Sequence, residues 1–107
     1  MAGLNRGAVY LVRFPEPDKQ RPVVLLTRTT SVGHLTKLTV APITSTIRGT
    51  PSEVALDVAD GMKGPCVINL FNTSTILKSA IGRRVATLSE ERMNQVCSAL
   101  RYALGCD

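Results

Sequence analysis

Short apolar blocks alternate with polar, turn-forming segments along most of the chain. Blocks of this kind, bounded by glycine, proline and polar residues, predict β-strands. The predicted strands are AVYLVRF (8–14), PVVLLT (22–27), KLTVAPIT (37–44), EVALD (53–57), CVINLF (66–71) and IGRRVATL (81–88). The second of these is almost wholly apolar, so we expect it to be buried on both faces, and we expect the polar stretch TRTTSVGH (27–34) after it to be a connection.

The hydrophobic period changes after Ser89. From there the apolar residues recur at helical spacing and form one face of a predicted terminal helix. They are Met93, Val96, Cys97, Leu100 and Leu104. Ser89 suits the N-cap of this helix, and Gly105 suits the position just after its last turn. Several short strands followed by one helix predict a small, curled antiparallel sheet or barrel with the helix packed on it.

Composition indicates one globular domain that covers residues 1–107. The chain is 44% hydrophobic and 20% charged, and no apolar run approaches the length of a membrane span. The first residues, MAGLNRGAVY, lack the apolar region of a signal peptide, so we expect the protein in the cytoplasm. The three cysteines have no metal-ligand spacing and the only histidine is His34, so no metal or other cofactor is expected.

The positive charge lies in the first half of the chain. Residues 1–50 contain seven basic and two acidic residues, whereas the numbers of basic and acidic residues are equal in 51–107. A one-sided basic surface is what phosphate recognition requires, although a net charge of +5 also fits proteins that bind no anion.

An arginine stands at the predicted entrance of the second strand, in DKQRPVVLLT (18–27). Proline has no N–H and a fixed φ, so we expect Pro22 to be the first residue of that strand. Arg21 would then lie where a loop meets the sheet. Its planar, permanently charged guanidinium matches two phosphate oxygens at once.

Four segments, in this order, resemble the MazF/PemK family of toxin endoribonucleases: RGAVYLV, RPVVLLT, the VAPIT of residues 40–44, and LSEERMNQVCSALRYALG. The resemblance implies an SH3-like barrel with a C-terminal helix, the plasmid maintenance toxin fold. It also implies a homodimer that cleaves single-stranded RNA selectively and without metal. A cognate antitoxin would block the RNA groove, and an acidic, disordered tail would suit a basic groove.

The resemblance assigns two catalytic residues, Arg21 from the RPV motif and Thr44 from the APIT motif. In metal-free cleavage the ribose 2′-OH attacks the phosphate and leaves a 2′,3′-cyclic phosphate and a 5′-OH. Arg21 would clamp the charged phosphorane, and the Thr44 hydroxyl would donate one further hydrogen bond. Glu16 and Asp18 are candidate proton acceptors, or else solvated loop charges.

Several polar residues are candidate RNA contacts: Lys19, Arg28, Arg48, Asn69, Asn72, Thr73 and Ser74. The last four could bind splayed bases or form the polar face of a strand. The chain departs from the family here, because Phe71 replaces an acidic residue and Ser74 replaces an arginine. These changes leave a catalytically silent RNA- or protein-binding barrel as an alternative. A gyrase-poisoning toxin is a third possibility, against which the RPV and APIT motifs argue.

Overall fold

The computed structural model describes residues 3–13 and 20–106. Its elements are β1 (Ala8–Arg13), β2 (Gln20–Leu25), α1 (Thr29–Val32), β3 (Lys37–Thr44), β4 (Glu53–Leu56), β5 (Cys66–Asn69), β6 (Ser74–Leu77), β7 (Ile81–Thr87) and α2 (Glu90–Leu104), with single 3₁₀ turns at Val58–Asp60, Leu70–Asn72 and Lys78–Ala80. Of the helices in the described ranges, none has the length and apolar character that crossing a bilayer requires.

The strands form one antiparallel sheet in the order β4-β5-β3-β2-β1-β7, and β6 pairs with β3 outside this path. One edge of β3 pairs with β2. Its other edge pairs with β6 along Lys37–Val40 and with β5 at Ile43 and Thr44. This change of partner curls the sheet into an open barrel. The mainly β architecture with a C-terminal helix is the predicted SH3-like one.

The core has two layers, one on each face of the central strands. Val24 and Leu26 lie in the layer that packs against α2, whereas Val23 and Leu25 lie in the other layer. All four side chains are buried, as the apolar pattern of this segment predicts. The central strands are therefore held from both sides, which makes them stiff supports for residues at their ends.

The terminal helix begins and ends as predicted. The Ser89 hydroxyl accepts a hydrogen bond from the Arg92 N–H at 3.1 Å, and Gly105 takes a left-handed conformation with φ 71°. The buried face is centred on Val96 and includes Ala99. The expectation that Leu104 belongs to this face is wrong, because this side chain lies at the margin of the face in the last turn and is 62% exposed.

An ion pair fastens α2 to the turn that follows β4. Arg92 Nε donates to Asp60 Oδ1 at 3.0 Å, and Asp60 Oδ2 accepts from the Asp57 N–H at 2.9 Å. The hydrogen bond from Arg92 lowers the pKa of the Asp60 carboxyl below its usual value and raises the pKa of the Arg92 guanidinium. When both groups are charged, the ion pair therefore stabilises the packing of α2 against the turn that follows β4.

Several predicted boundaries differ from the structure, and one strand was missed. The second strand begins two residues earlier than predicted, at Gln20, and the predicted connection after it contains α1. The predicted strand 66–71 ends at Asn69, whose side-chain oxygen accepts the Phe71 N–H at 3.0 Å and so begins a 3₁₀ turn. β6 was not predicted, because Ser74–Leu77 has two polar residues followed by two apolar ones and no alternation.

Candidate active site

Pro22 ends the hydrogen bonding between β2 and β3. The Leu26 N–H donates to the Thr39 carbonyl at 2.9 Å, so every second residue back along β2, including Pro22, points its backbone groups towards β3. The paired register ends at Val23 and Pro42, since the next residue has no N–H to donate. Pro22 is thus the third residue of β2 and not the first, and the expectation that it opens the strand is wrong.

The same register, although it ends at Val23–Pro42, predicts where Arg21 lies relative to Thr44. Continued by two residues beyond the pair Val23–Pro42, it sets Arg21 across from Thr44 on the same face of the sheet. Residues that face each other in an antiparallel pair have Cβ atoms about 4.5–5.5 Å apart. Arg21 is exposed, Thr44 is half-buried, and on its other side Arg21 pairs with Val12 of β1. The continued register therefore predicts that a guanidinium and a hydroxyl lie across from each other at the ends of two stiff strands.

Pro42 lies between the part of β3 that pairs with β6 and the part that pairs with β5. Its nitrogen points away from β2, because Thr39, three residues earlier, points towards β2. On that far side, Val40 pairs with Ser74 of β6, whereas Thr44 pairs with Val67 of β5. A residue without an N–H fits this gap between two ladders. The exchange places the segment between β5 and β6 beside the end of β3 that holds Thr44.

The Thr44 hydroxyl is held by the backbone. Its Oγ1 accepts a hydrogen bond from the N–H of Thr46 at 3.1 Å, across the bend at Ser45. A threonine that bonds the N–H two residues on forms a local turn, a signal that the Thr-Ser-Thr sequence at this strand end offers. Thr46 was not among the predicted site residues.

The predicted polar residues of 69–74 lie along the edge of β3 that leads to this strand end. Ser74 sits opposite Val40 on β3, and Asn72 and Ser74 are exposed while Thr73 is half-buried. The Asn69 side-chain oxygen is occupied by the Phe71 N–H, which gives it a structural role. Ser74 is level with Val40, four residues or about 13 Å along β3 from Thr44, so Asn72 and Thr73, which precede it, lie closer to the strand end that holds Thr44.

The other predicted contacts are distributed differently. Arg28 lies beyond the far end of β2, and the rise from Arg21 to Leu25 alone is about 13 Å, so the structure does not bring Arg28 to the site. Arg48 is exposed in the loop after β3, and its N–H donates to the Glu53 carboxylate at 3.1 and 3.3 Å. The remaining candidates, Glu16, Asp18 and Lys19, lie outside the described residues.

An open antiparallel barrel with one terminal helix, bearing a guanidinium across from a hydroxyl, defines a small β-barrel protein with a site suited to an anionic group. The chain belongs to the family of PemK-like, MazF-like toxins of type II toxin–antitoxin systems, whose sequence profile matches residues 5–104. The family membership indicated by the four sequence segments is thereby confirmed.

The relatives match this chain over nearly all of its length. It is 38% identical to the endoribonuclease MazF3 of Mycobacterium tuberculosis, over 90% of this chain and 93% of the relative. Among solved structures it resembles the M. tuberculosis toxin MazF-mt6, with a TM-score of 0.86 and 36% identity over 94% of this chain and 98% of the other. It also resembles a mycobacterial endoribonuclease in complex with its cognate antitoxin, with a TM-score of 0.87 and 25% identity over 98% of each chain.

Proposed function

We propose that this protein is an endoribonuclease toxin that cleaves single-stranded RNA and is neutralised by a cognate antitoxin. Family membership and the names of relatives at 33–38% identity support the activity, and the solved complex of a mycobacterial relative supports the antitoxin. The structural observation that supports the proposal is the β2–β3 register, which ends at the pair Val23–Pro42 and whose continuation by two residues would set Arg21 across from Thr44. A fork and a hydroxyl in this arrangement can hold one phosphodiester.

The cleavage proceeds by internal attack. The ribose 2′-oxygen loses its proton and bonds to phosphorus, the bond from phosphorus to the 5′-oxygen breaks, and that oxygen takes up a proton. Arg21 stabilises the extra negative charge of the phosphorane, because its guanidinium stays protonated and offers two parallel N–H donors. For the same reason it is a poor proton donor, so it acts as a clamp first. Glu16 and Asp18 stay candidate proton acceptors.

Base selectivity would come from the segment that follows β5. Asn72 is exposed in the segment that leads from β5 to β6, and Ser74 is exposed across from Val40, about 13 Å along β3 from Thr44. Their amide and hydroxyl groups can bond to the edges of unstacked bases that flank the cleaved phosphate. Phe71 and Ser74 stand where the family has an acidic residue and an arginine. We therefore expect this protein to prefer an RNA sequence different from that of members with those two charges.

The partners follow from the same surface. We expect an acidic, disordered antitoxin tail to fold onto the basic site and to compete there with RNA. We further expect the toxin to be a homodimer of single-domain subunits, residues 1–107, and to act in the cytoplasm, where its RNA substrate is found. An antitoxin peptide that bound together with RNA, without weakening it, would contradict the competition.

The test is incubation of the purified protein with a long, single-stranded transcript in EDTA. The expected fragments end in 2′,3′-cyclic phosphate and 5′-OH, so polynucleotide kinase labels their 5′ ends directly, and sequencing those ends gives the RNA motif. Thr44→Val is the matched inactive control. Fragments with 3′-OH ends would refute the chemistry. Tight RNA binding by both forms without cleavage would instead favour the silent binding barrel.

A further inference from the structure

The hydrogen bond from the Thr46 N–H fixes more than the place of the Thr44 oxygen. A hydroxyl has one proton and two acceptor positions. Because the Thr46 N–H occupies one acceptor position at 3.1 Å, the Thr44 proton has to point elsewhere. The branched side chain of threonine leaves few rotamers. The direction of the Thr44 O–H is therefore restricted before any substrate arrives.

The same bond sets the chemical character of the hydroxyl. An oxygen that accepts an N–H bond is a weaker base and a stronger hydrogen-bond donor, because the two bonds polarise each other. The continued β2–β3 register sets Thr44 on the same face of the sheet as Arg21, so its proton points to the face on which the proposed anionic group would bind. This arrangement suits donation to a phosphoryl oxygen and disfavours a role for Thr44 in accepting the 2′-OH proton.

We propose that the backbone N–H of Thr46 is a positioning group, which holds Thr44 as a hydrogen-bond donor to a nonbridging phosphoryl oxygen. This inference rests on the proposed ribonuclease function and assigns one role within it. The Thr46 side chain itself is exposed, and its hydroxyl has no part in the proposal.

Two replacements remove the N–H and one retains it. Thr46→Pro deletes the donor, and a semisynthetic full-length protein with an ester in place of the 45–46 peptide bond deletes it without the ring of proline. Thr46→Ala keeps the N–H and loses only the side chain, so it is the matched control. For Thr46→Pro and the ester variant we expect kcat to fall about 10- to 100-fold, with KM little changed. This loss is smaller than the rate loss of about 10²–10³ that follows removal of a complete hydrogen-bond donor. Thr46→Ala should cleave like the wild type.

A phosphorothioate substrate separates a misdirected donor from a general structural defect. The probe is a short oligoribonucleotide containing the cleavage site mapped in EDTA, with sulfur in place of either nonbridging oxygen. Sulfur accepts hydrogen bonds poorly, so the wild type should be slowed on the diastereomer that places sulfur at the Thr44 donor. This slowing should shrink in Thr44→Val and in both N–H deletions, whereas a structural defect would slow every substrate alike.

The outcomes separate this inference from the function on which it rests. A wild-type protein that leaves RNA intact refutes the ribonuclease itself. Cleavage by the wild type, with an ester variant that keeps its kcat and its full diastereomer preference, overturns the positioning role and leaves the ribonuclease standing. Equal cleavage of both diastereomers by the wild type would likewise overturn the positioning role without refuting the ribonuclease. If the proline variant does not fold, the ester variant decides.

Discussion

Replacing Arg21 by lysine, alone and together with Thr44→Val, tests whether both side chains act on one phosphate. Lysine keeps the positive charge but loses the planar fork that bonds two oxygens at once. The continued β2–β3 register sets the two residues across from each other, with an expected Cβ separation of about 4.5–5.5 Å. Both side chains can therefore reach the same phosphoryl group.

The expected loss follows from this geometry. Removing one donor from a developing oxyanion costs about 10²–10³ in rate, or about 2.7–4 kcal/mol. Independent donors would make the double variant slower by about 10⁴–10⁶, the product of the two single losses. Groups that act as a unit are strongly non-additive, so we expect the double variant to lose little more than the worse single variant.

The assay is single-turnover cleavage of the mapped oligoribonucleotide in EDTA, with each variant shown to unfold at the wild-type denaturant midpoint. Arg101→Lys, an exposed arginine on α2, is the matched control and should cleave like the wild type. Losses that multiply in the double variant would mean that Arg21 and Thr44 act independently and not as one unit. Wild-type cleavage by Arg21→Lys would refute the clamp.

Three further predictions concern stability and are measured by urea unfolding. Asp60→Asn should cost about 1.5–3 kcal/mol at neutral pH, because it loses a charge-assisted hydrogen bond to Arg92. Since the pair lowers the pKa of Asp60 below 3.8, its contribution is present above that pH and is lost as the pH falls through the lowered value; a variant that keeps the wild-type acid dependence would contradict this. Gly61→Ala should cost at least about 1–2 kcal/mol, because φ is +91° and the new Cβ would lie 3.0 Å from that of Ala86; an unchanged midpoint would refute it. Ser89→Ala should cost about 1 kcal/mol through the lost N-cap and leave RNA cleavage unchanged, so reduced cleavage by the folded variant would count against this assignment.

The elements that were predicted correctly are those whose signals are local. The terminal helix carries its own cap at Ser89 and its own stop at Gly105, and β3 coincides with the predicted segment 37–44. β6 could not be predicted in this way, because Ser74–Leu77 is a strand only by virtue of the edge that β3 offers it. Strand pairing of this kind is a tertiary property that a single segment does not encode.

The same distinction between local signals and tertiary pairing applies to the candidate site. Arg21 and Thr44 were recognisable from their motifs, but their position across from each other depends on the register between β2 and β3. The proposed positioning group of Thr46 could not be predicted, because it is a backbone N–H, which every residue except proline possesses. Arg28 has the right charge for an RNA contact but lies beyond the other end of β2, a difference that only the direction of the strand reveals.

Two prolines, each next to or near a candidate site residue, remove backbone hydrogen-bond donors from the strand ends at which Arg21 and Thr44 lie. A residue with an N–H at position 22 would donate to the Ile43 carbonyl and extend the β2–β3 ladder by the pair 22–43. On the opposite edge, Pro42 offers no donor where β3 passes from β6 to β5. Backbone bonding is thus reduced on both edges of β3 just before Thr44. The proposed phosphate contacts of Arg21 and Thr44 would thus lie where the prolines of the RPV and APIT motifs interrupt the backbone pairing on both edges of β3.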